Sequence, residues 1–170
     1  MMKQNRYAIG CAALIAAVVV AGAATSGQST PSVPVPQGFR AWQHVKSIVV
    51  GPGHKSFARR GGIHHYYANE KATEGYRTGT FPNGSIIVDE AVTAKDGEGD
   101  ATGILLEGAR RSLDVMVKDD RLYKETGGWG FEHFDGDNPA GQLTSEQRTQ
   151  CYQCHSKRKD RDHVFSVIRP

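Results

Sequence analysis

Pro82-Asn83-Gly84-Ser85-Ile86-Ile87-Val88-Asp89-Glu90-Ala91-Val92 joins a turn signal to a run dominated by β-branched residues. A run of that length and composition reads as a strand over Ser85 to Val92. Period-two alternation places Ile86, Val88, Glu90 and Val92 on one side and Ser85, Ile87, Asp89 and Ala91 on the other, so the adjacent carboxylates point to opposite faces. If both faces are covered, one acid is buried. The alternative is an edge strand with one acid solvated and the other paired to an arginine.

Similar runs lie on either side, at Val45 to Val50, Ile63 to Ala68, Gly103 to Gly108, Ser112 to Lys118 and Trp129 to Phe134, with Gly and Asn in most of the gaps. This spacing predicts a mainly β (α+β) domain, an antiparallel sheet with a few short helices. A short helix is expected around Gly38 to Gln43. Asn69 can cap a second over Glu70 to Arg77, which Gly79 would end. Thr144 with Gln147 makes a capping box for a third. The tail, His163 to Ile168, reads as one more strand. In Ser112 to Lys118, Leu113, Val115 and Val117 share a side, which puts Met116 away from the more apolar surface. Trp129, Phe131 and His133 also share a face, as plain core or as an aromatic wall.

The third helix runs into Cys151-Tyr152-Gln153-Cys154-His155, a CxxCH box. Two thiols three positions apart can add to the two vinyl groups of one haem, and the following imidazole is placed to ligate its iron. With 3 Cys and 7 His in 170 residues, chance would produce the box with a probability of about 0.002, so chance is a poor explanation. A zinc site needs a second ligand pair at close spacing, and none is evident beyond the distant His163. A thioredoxin-like pair belongs near the start of a βαβ pattern rather than close to the end of the chain. One covalently attached haem c is the expected cofactor, with Cys151 and Cys154 as tethers and His155 as the axial ligand.

The N-terminus agrees. Lys3 and Arg6 open a short basic region, an apolar stretch runs from Tyr7 to Val20, and Ala21-Gly22-Ala23-Ala24 offers a small-residue cleavage site. Residues 1–23 read as a secretory signal peptide, since the apolar run is too short for a membrane anchor. Cys11 leaves with it. Removing 23 residues leaves 170 − 23 = 147, a usual size for one domain, and takes two of the 21 basic residues against 18 acidic ones, giving 19 − 18 = +1. So neutral a domain has no electrostatic case for nucleic acid. The two remaining cysteines both sit in the box, and the n-region has no twin arginine. Export unfolded to a Gram-negative periplasm is the natural address. Residues 24–37, rich in Ser, Thr and Pro, read as a flexible lead-in that buries no core, and residues 38–170 as the haem domain.

After signal removal Met116 is the only methionine, so the sulfur ligand of electron-transfer cytochromes has no other candidate. With Met116 on the wrong face, an open or water-ligated iron is expected. Asp89 and His64 are the candidate distal polar groups, able to donate a hydrogen bond or shuttle a proton. The alternative is an electron carrier with no substrate of its own, taking a sixth ligand from His44, His54, His64, His65, His133 or His163. Lys157-Arg158-Lys159 could then dock an acidic periplasmic redox partner.

A series of motifs in order also resembles a known family: Ile63-His64-His65-Tyr66-Tyr67, Tyr76-Arg77-Thr78-Gly79-Thr80-Phe81-Pro82-Asn83-Gly84, Val88-Asp89-Glu90, Leu113-Asp114-Val115-Met116-Val117-Lys118-Asp119, Gly127-Gly128-Trp129-Gly130-Phe131-Glu132 and the CYQCH box. From about Gly38 onward the chain is similar to the cytochrome P-460 family, whose other branch is cytochrome c′-β. The resemblance implies a β-rich, usually homodimeric domain with one c-type haem, a proximal His155 and an open distal side. Its members divide into hydroxylamine-oxidising enzymes and c′-β proteins that bind nitric oxide; for this chain nitric oxide, hydroxylamine and peroxide are the candidate ligands or, for a haem oxidoreductase, substrates. The lysine that hydroxylamine oxidisers link to the macrocycle falls on Asp89, and an arginine of their pocket on His64. A carboxylate cannot make that amine link, so the oxidase activity of the hydroxylamine oxidisers does not carry over to this chain. Phe81 matches a capping phenylalanine, and with Trp129 and Phe131 it makes up the expected haem wall.

Overall fold

The computed structural model describes residues 32–169. Residues 1–23, read as a signal peptide, lie outside them. Among the described residues no helix is long and apolar enough to cross a membrane.

Five strands form one antiparallel meander in the order β1-β2-β3-β4-β5. They are β1 (Gln43–Val50), β2 (Gly62–Ala68), β3 (Ile86–Asp96), β4 (Leu105–Lys118) and β5 (Trp129–Asp135). A four-residue helix α1 (Phe57–Arg60) precedes β2, α2 (Glu70–Thr78) links β2 to β3, and α3 (Ser145–His155) follows β5. Asn69 caps α2 through Oδ1, which accepts from the Ala72 amide at 2.9 Å, and Gly79 ends it in the left-handed conformation. The capping box at Thr144 and Gln147 starts α3 as expected.

The runs Gly103 to Gly108 and Ser112 to Lys118 are one continuous strand rather than two. Gly108 lies inside β4 because a Cβ there would meet Thr93 Oγ1 at 2.1 Å, so the glycine marks a close approach of strands and not a break. The tail is also not a strand. Beyond His163 the chain joins no strand of the sheet. Its Ser166 takes side-chain partners instead, Arg161 on its carbonyl and the Tyr76 hydroxyl on Oγ.

Both faces of the sheet are covered. On one, Val88, Leu113, Val115 and Phe134 pack with Tyr123, Phe39 and Val33. Val33 is 2% exposed, so the lead-in is not free of the core: Val33, with Val35 half-buried near it, closes this face beside the short turn Phe39–Ala41. On the other, Ile87, Ala68, Phe131 and Trp129 meet Phe81, Ala72 and Val164. That second face, beneath α3 and the tail, holds a large cavity.

Candidate functional site

Antiparallel pairing lines up the second face as cross-strand rows. Ala68, Ile87, Met116 and Phe131 form an apolar row; Tyr66, Asp89, Asp114 and His133 form the next; His64, Ala91, Ser112 and Asp135 the third. Above these rows lies a cavity of about 710 Å³, closed on its far side by Cys151, Cys154 and His155 of α3 and by Val164 and Phe165 of the tail.

Helical spacing brings the box together. Cys154 is three residues from Cys151 and His155 four, so all share one side of α3. Glu132, buried on β5, holds the helix through Arg148 and accepts from the Leu143 amide at 2.9 Å. Burial pushes the Cys151 thiol pKa up, and both cysteines are free. The His155 ring lies between Phe131 and Phe165, each 5.0 Å away by centroid. Its Nδ1–H donates to the carbonyl of His163 at 2.8 Å. Burial outweighs that bond and holds the imidazole pKa below its usual value. Neutral His155 therefore keeps its lone pair on Nε2, and a metal-ligating histidine has the same arrangement. Two thiols, an unengaged imidazole nitrogen and a part-apolar cavity between them fit a haem.

The polar rows are tightly paired. Asp89 accepts from Arg60 Nη2 at 2.8 Å and from His64 Nδ1 at 2.8 Å. His64 Nε2 lies 2.8 Å from the Arg60 carbonyl. Carboxylate and carbonyl are both acceptors, so both ring nitrogens carry protons and His64 is an imidazolium. Burial works against that charge, but Asp89 overcomes it and the pKa is raised. His133 repeats the pattern between Asp114 at 2.7 Å and Asp135 at 3.0 Å. The Asp114 hydrogen bond foremost pushes its pKa up to about 9. Burial first, and the Asp89 charge second, raise the Tyr66 hydroxyl well above its ordinary value.

A family model described as Cytochrome P460 matches residues 36–166. The chain belongs to the cytochrome P460 family. Membership implies haem as the cofactor and agrees with the mainly β sheet. Comparison with curated proteins gives no match.

Against the sequence expectations for this P460 chain, Asp89, His64, Phe131, Cys151, Cys154 and His155 all border the one cavity. Phe81 and Trp129 do not line it: their rings pack edge to face at 5.5 Å behind Phe131, in the core. His64 has both nitrogens engaged, so it is no free proton shuttle, and Asp89 accepts from two cations where a donating acid was expected. Met116 faces the cavity, not away from the site. Its strand neighbours Asp114 and Lys118 look like a solvent face, yet the cavity side mixes polar and apolar rows. Sequence reasoning missed Arg60, Tyr66 and Asp114. Asp114 carried a signal, sharing the Met116 side of β4; Arg60 carried none, because α1 delivers it from outside the sheet.

Proposed function

We propose that this is an exported monohaem cytochrome c whose single haem is joined by thioethers to Cys151 and Cys154, with His155 Nε2 as axial donor and an open site opposite. When bound, haem supplies an iron that takes small ligands such as nitric oxide, hydroxylamine or peroxide and exchanges electrons. One observation carries the reading: of the three histidines on the cavity, only His155 has a nitrogen without a partner.

The chain's own residues then set the chemistry of the open side. Tyr66, its hydroxyl kept protonated by its raised pKa, is a hydrogen-bond donor to a bound ligand. Arg60, only partly buried, supplies a guanidinium whose Nη2 lies 3.4 Å from that hydroxyl. Asp89 orients both cations and, standing where a cross-linking lysine would be, supports a haem unmodified beyond its thioethers. Export to the periplasm rests on the sequence of residues 1–23. The exposed Ile104, Leu105 and Leu106 at the β3–β4 hairpin suit a homodimer contact, and Lys157, Arg158 and Lys159, directly after His155, suit an acidic redox partner.

An electron carrier without a substrate keeps one support, since Met116 lines the cavity. Met116 nevertheless belongs to the apolar row with Ile87 and Phe131, whose ring lies 5.0 Å from that of His155 by centroid, and not to the polar rows of Tyr66, Asp89 and His64, which favours the open-site reading. Spectra decide. The purified protein should carry haem that resists acidic acetone, with an intact mass of mature polypeptide plus one haem, and its ferrous form should bind carbon monoxide and nitric oxide. Haem that extracts fully would overturn covalent attachment, and a low-spin ferrous iron inert to both gases would overturn the open site.

A further inference from the structure

Asp162 and His163 adopt positive φ, 45° and 67°, and no other non-glycine residue among those described does so. Side chains disfavour the left-handed region, so two in succession persist only where the surroundings over-determine them.

The surroundings here meet on Asp162. Lys118 Nζ donates to its Oδ1 at 2.9 Å, the Phe81 amide donates to its Oδ2 at 2.9 Å, and the Trp129 indole N–H donates to its carbonyl at 2.9 Å. Lys118 is itself 6% exposed, donates also to the Gly127 carbonyl at 3.2 Å, and lies 5.4 Å from the Trp129 ring centroid. The His163 amide closes the turn on the Arg158 carbonyl at 2.8 Å. The next carbonyl in line, that of His163, receives Nδ1–H of His155.

We propose that Lys118 and Asp162 are positioning residues that hold this left-handed pair, fix the His163 carbonyl on His155 and so set how strongly Nε2 donates to iron, a role that rests on the haem reading above. A fixed N–H···O=C bond raises the basicity of a ligating imidazole. Stronger donation stabilises ferric over ferrous iron and lowers the potential. A side chain that ended in solvent or served packing alone would leave both quantities unmoved.

The test compares three variants of the full haem-loaded protein by the iron–histidine stretching band of the ferrous form and by the haem reduction potential. Lys118→Met should lower the stretching frequency and raise the potential. His163→Val should do the same, because a β-branched residue resists positive φ. His163→Gly should keep both near wild type, since glycine accepts that conformation and retains the carbonyl. Unmoved values in Lys118→Met and His163→Val would overturn the proposal, and so would His163→Gly shifting as far as His163→Val. Where Lys118→Met gives no haem-loaded protein, the His163 pair decides. A wild-type protein without attached haem would instead refute the haem reading itself.

Discussion

Asp89 and Glu90 are neighbours on the central strand and are both buried, one on each face of the sheet. Asp89 joins Arg60 and His64 over the cavity, whereas Glu90 is clamped by Arg40 and by Arg110 at 2.8 Å on the far side. Strand pleat alone imposes this division. Two acids of similar chemistry therefore answer to different pressures, Asp89 to the site and Glu90 to the fold.

Glu90→Ala should therefore destabilise the protein without touching the site. It strands Arg110, which is 17% exposed, although Asp137 and the exposure of Arg40 soften the loss. A decrease of about 2–3 kcal/mol is expected in denaturant unfolding, with ligand-binding spectra unchanged. A spectral shift without destabilisation would reverse the assignment of the two acids.

Much of this was legible from alternation. The faces of β3 and β5, the caps at Asn69 and Thr144, and the grouping of Cys151, Cys154 and His155 all follow from local rules that tertiary packing did not override. Two failures come from packing that the local pattern does not show. Gly108 reads as a break until Thr93 is seen beside it, and Val33 reads as linker until Phe39 and Leu113 surround it. Met116 fails for a different reason: a face that lines a polar-apolar cavity has the same pattern as one that faces water.

The two doubly paired histidines give a pH dependence. His64 and His133 have folded pKa values above the ordinary value of about 6.5, raised to about 9 for His133. Their stabilisation is complete below about pH 6.5 and is lost as pH rises through the folded values. Melting temperature should fall between about pH 6.5 and 9, and His133→Gln should flatten that slope. Histidine proton NMR should show one resonance titrating near pH 9; a His133 midpoint near 6.5 would contradict the Asp114 and Asp135 pairing.

Gly130 tests the glycine-rich motif around Trp129. A Cβ at this position would lie 2.4 Å from the Tyr123 ring, which is 4% exposed and has no room to retreat. Gly130→Ala should destabilise by about 1–3 kcal/mol through overpacking. Calorimetry of Gly130→Ala alongside Gly130→Ala with Tyr123→Leu should show partial recovery in the pair, and no recovery would place the strain elsewhere.

Met116→Ala distinguishes the open site from the electron carrier. With its side chain packed among Ile87 and Phe131, its loss removes apolar contact and should lower stability by about 2–3 kcal/mol. The ferric spin state should not change. Conversion from low to high spin on this substitution would make Met116 a ligand.

Asp89→Asn is the sharpest probe of the open side. The amide preserves the shape but gives up a charge that Arg60 and His64 share at 2.8 Å. Without that charge the imidazolium loses its main support, so burial should drive His64 toward the neutral form, with one nitrogen left without a proton to donate. Arg60 is released toward the cavity, and Tyr66 loses the neighbouring anion that, after burial, contributes most to raising its pKa. Ligand affinity of the ferrous protein should change, and a new titration should enter its pH profile at or below the ordinary histidine range, while covalent haem content stays at wild-type level because the thiols sit on α3. Binding curves that overlay wild type from pH 5 to 9 would show that Asp89 does no more than neutralise its two cations.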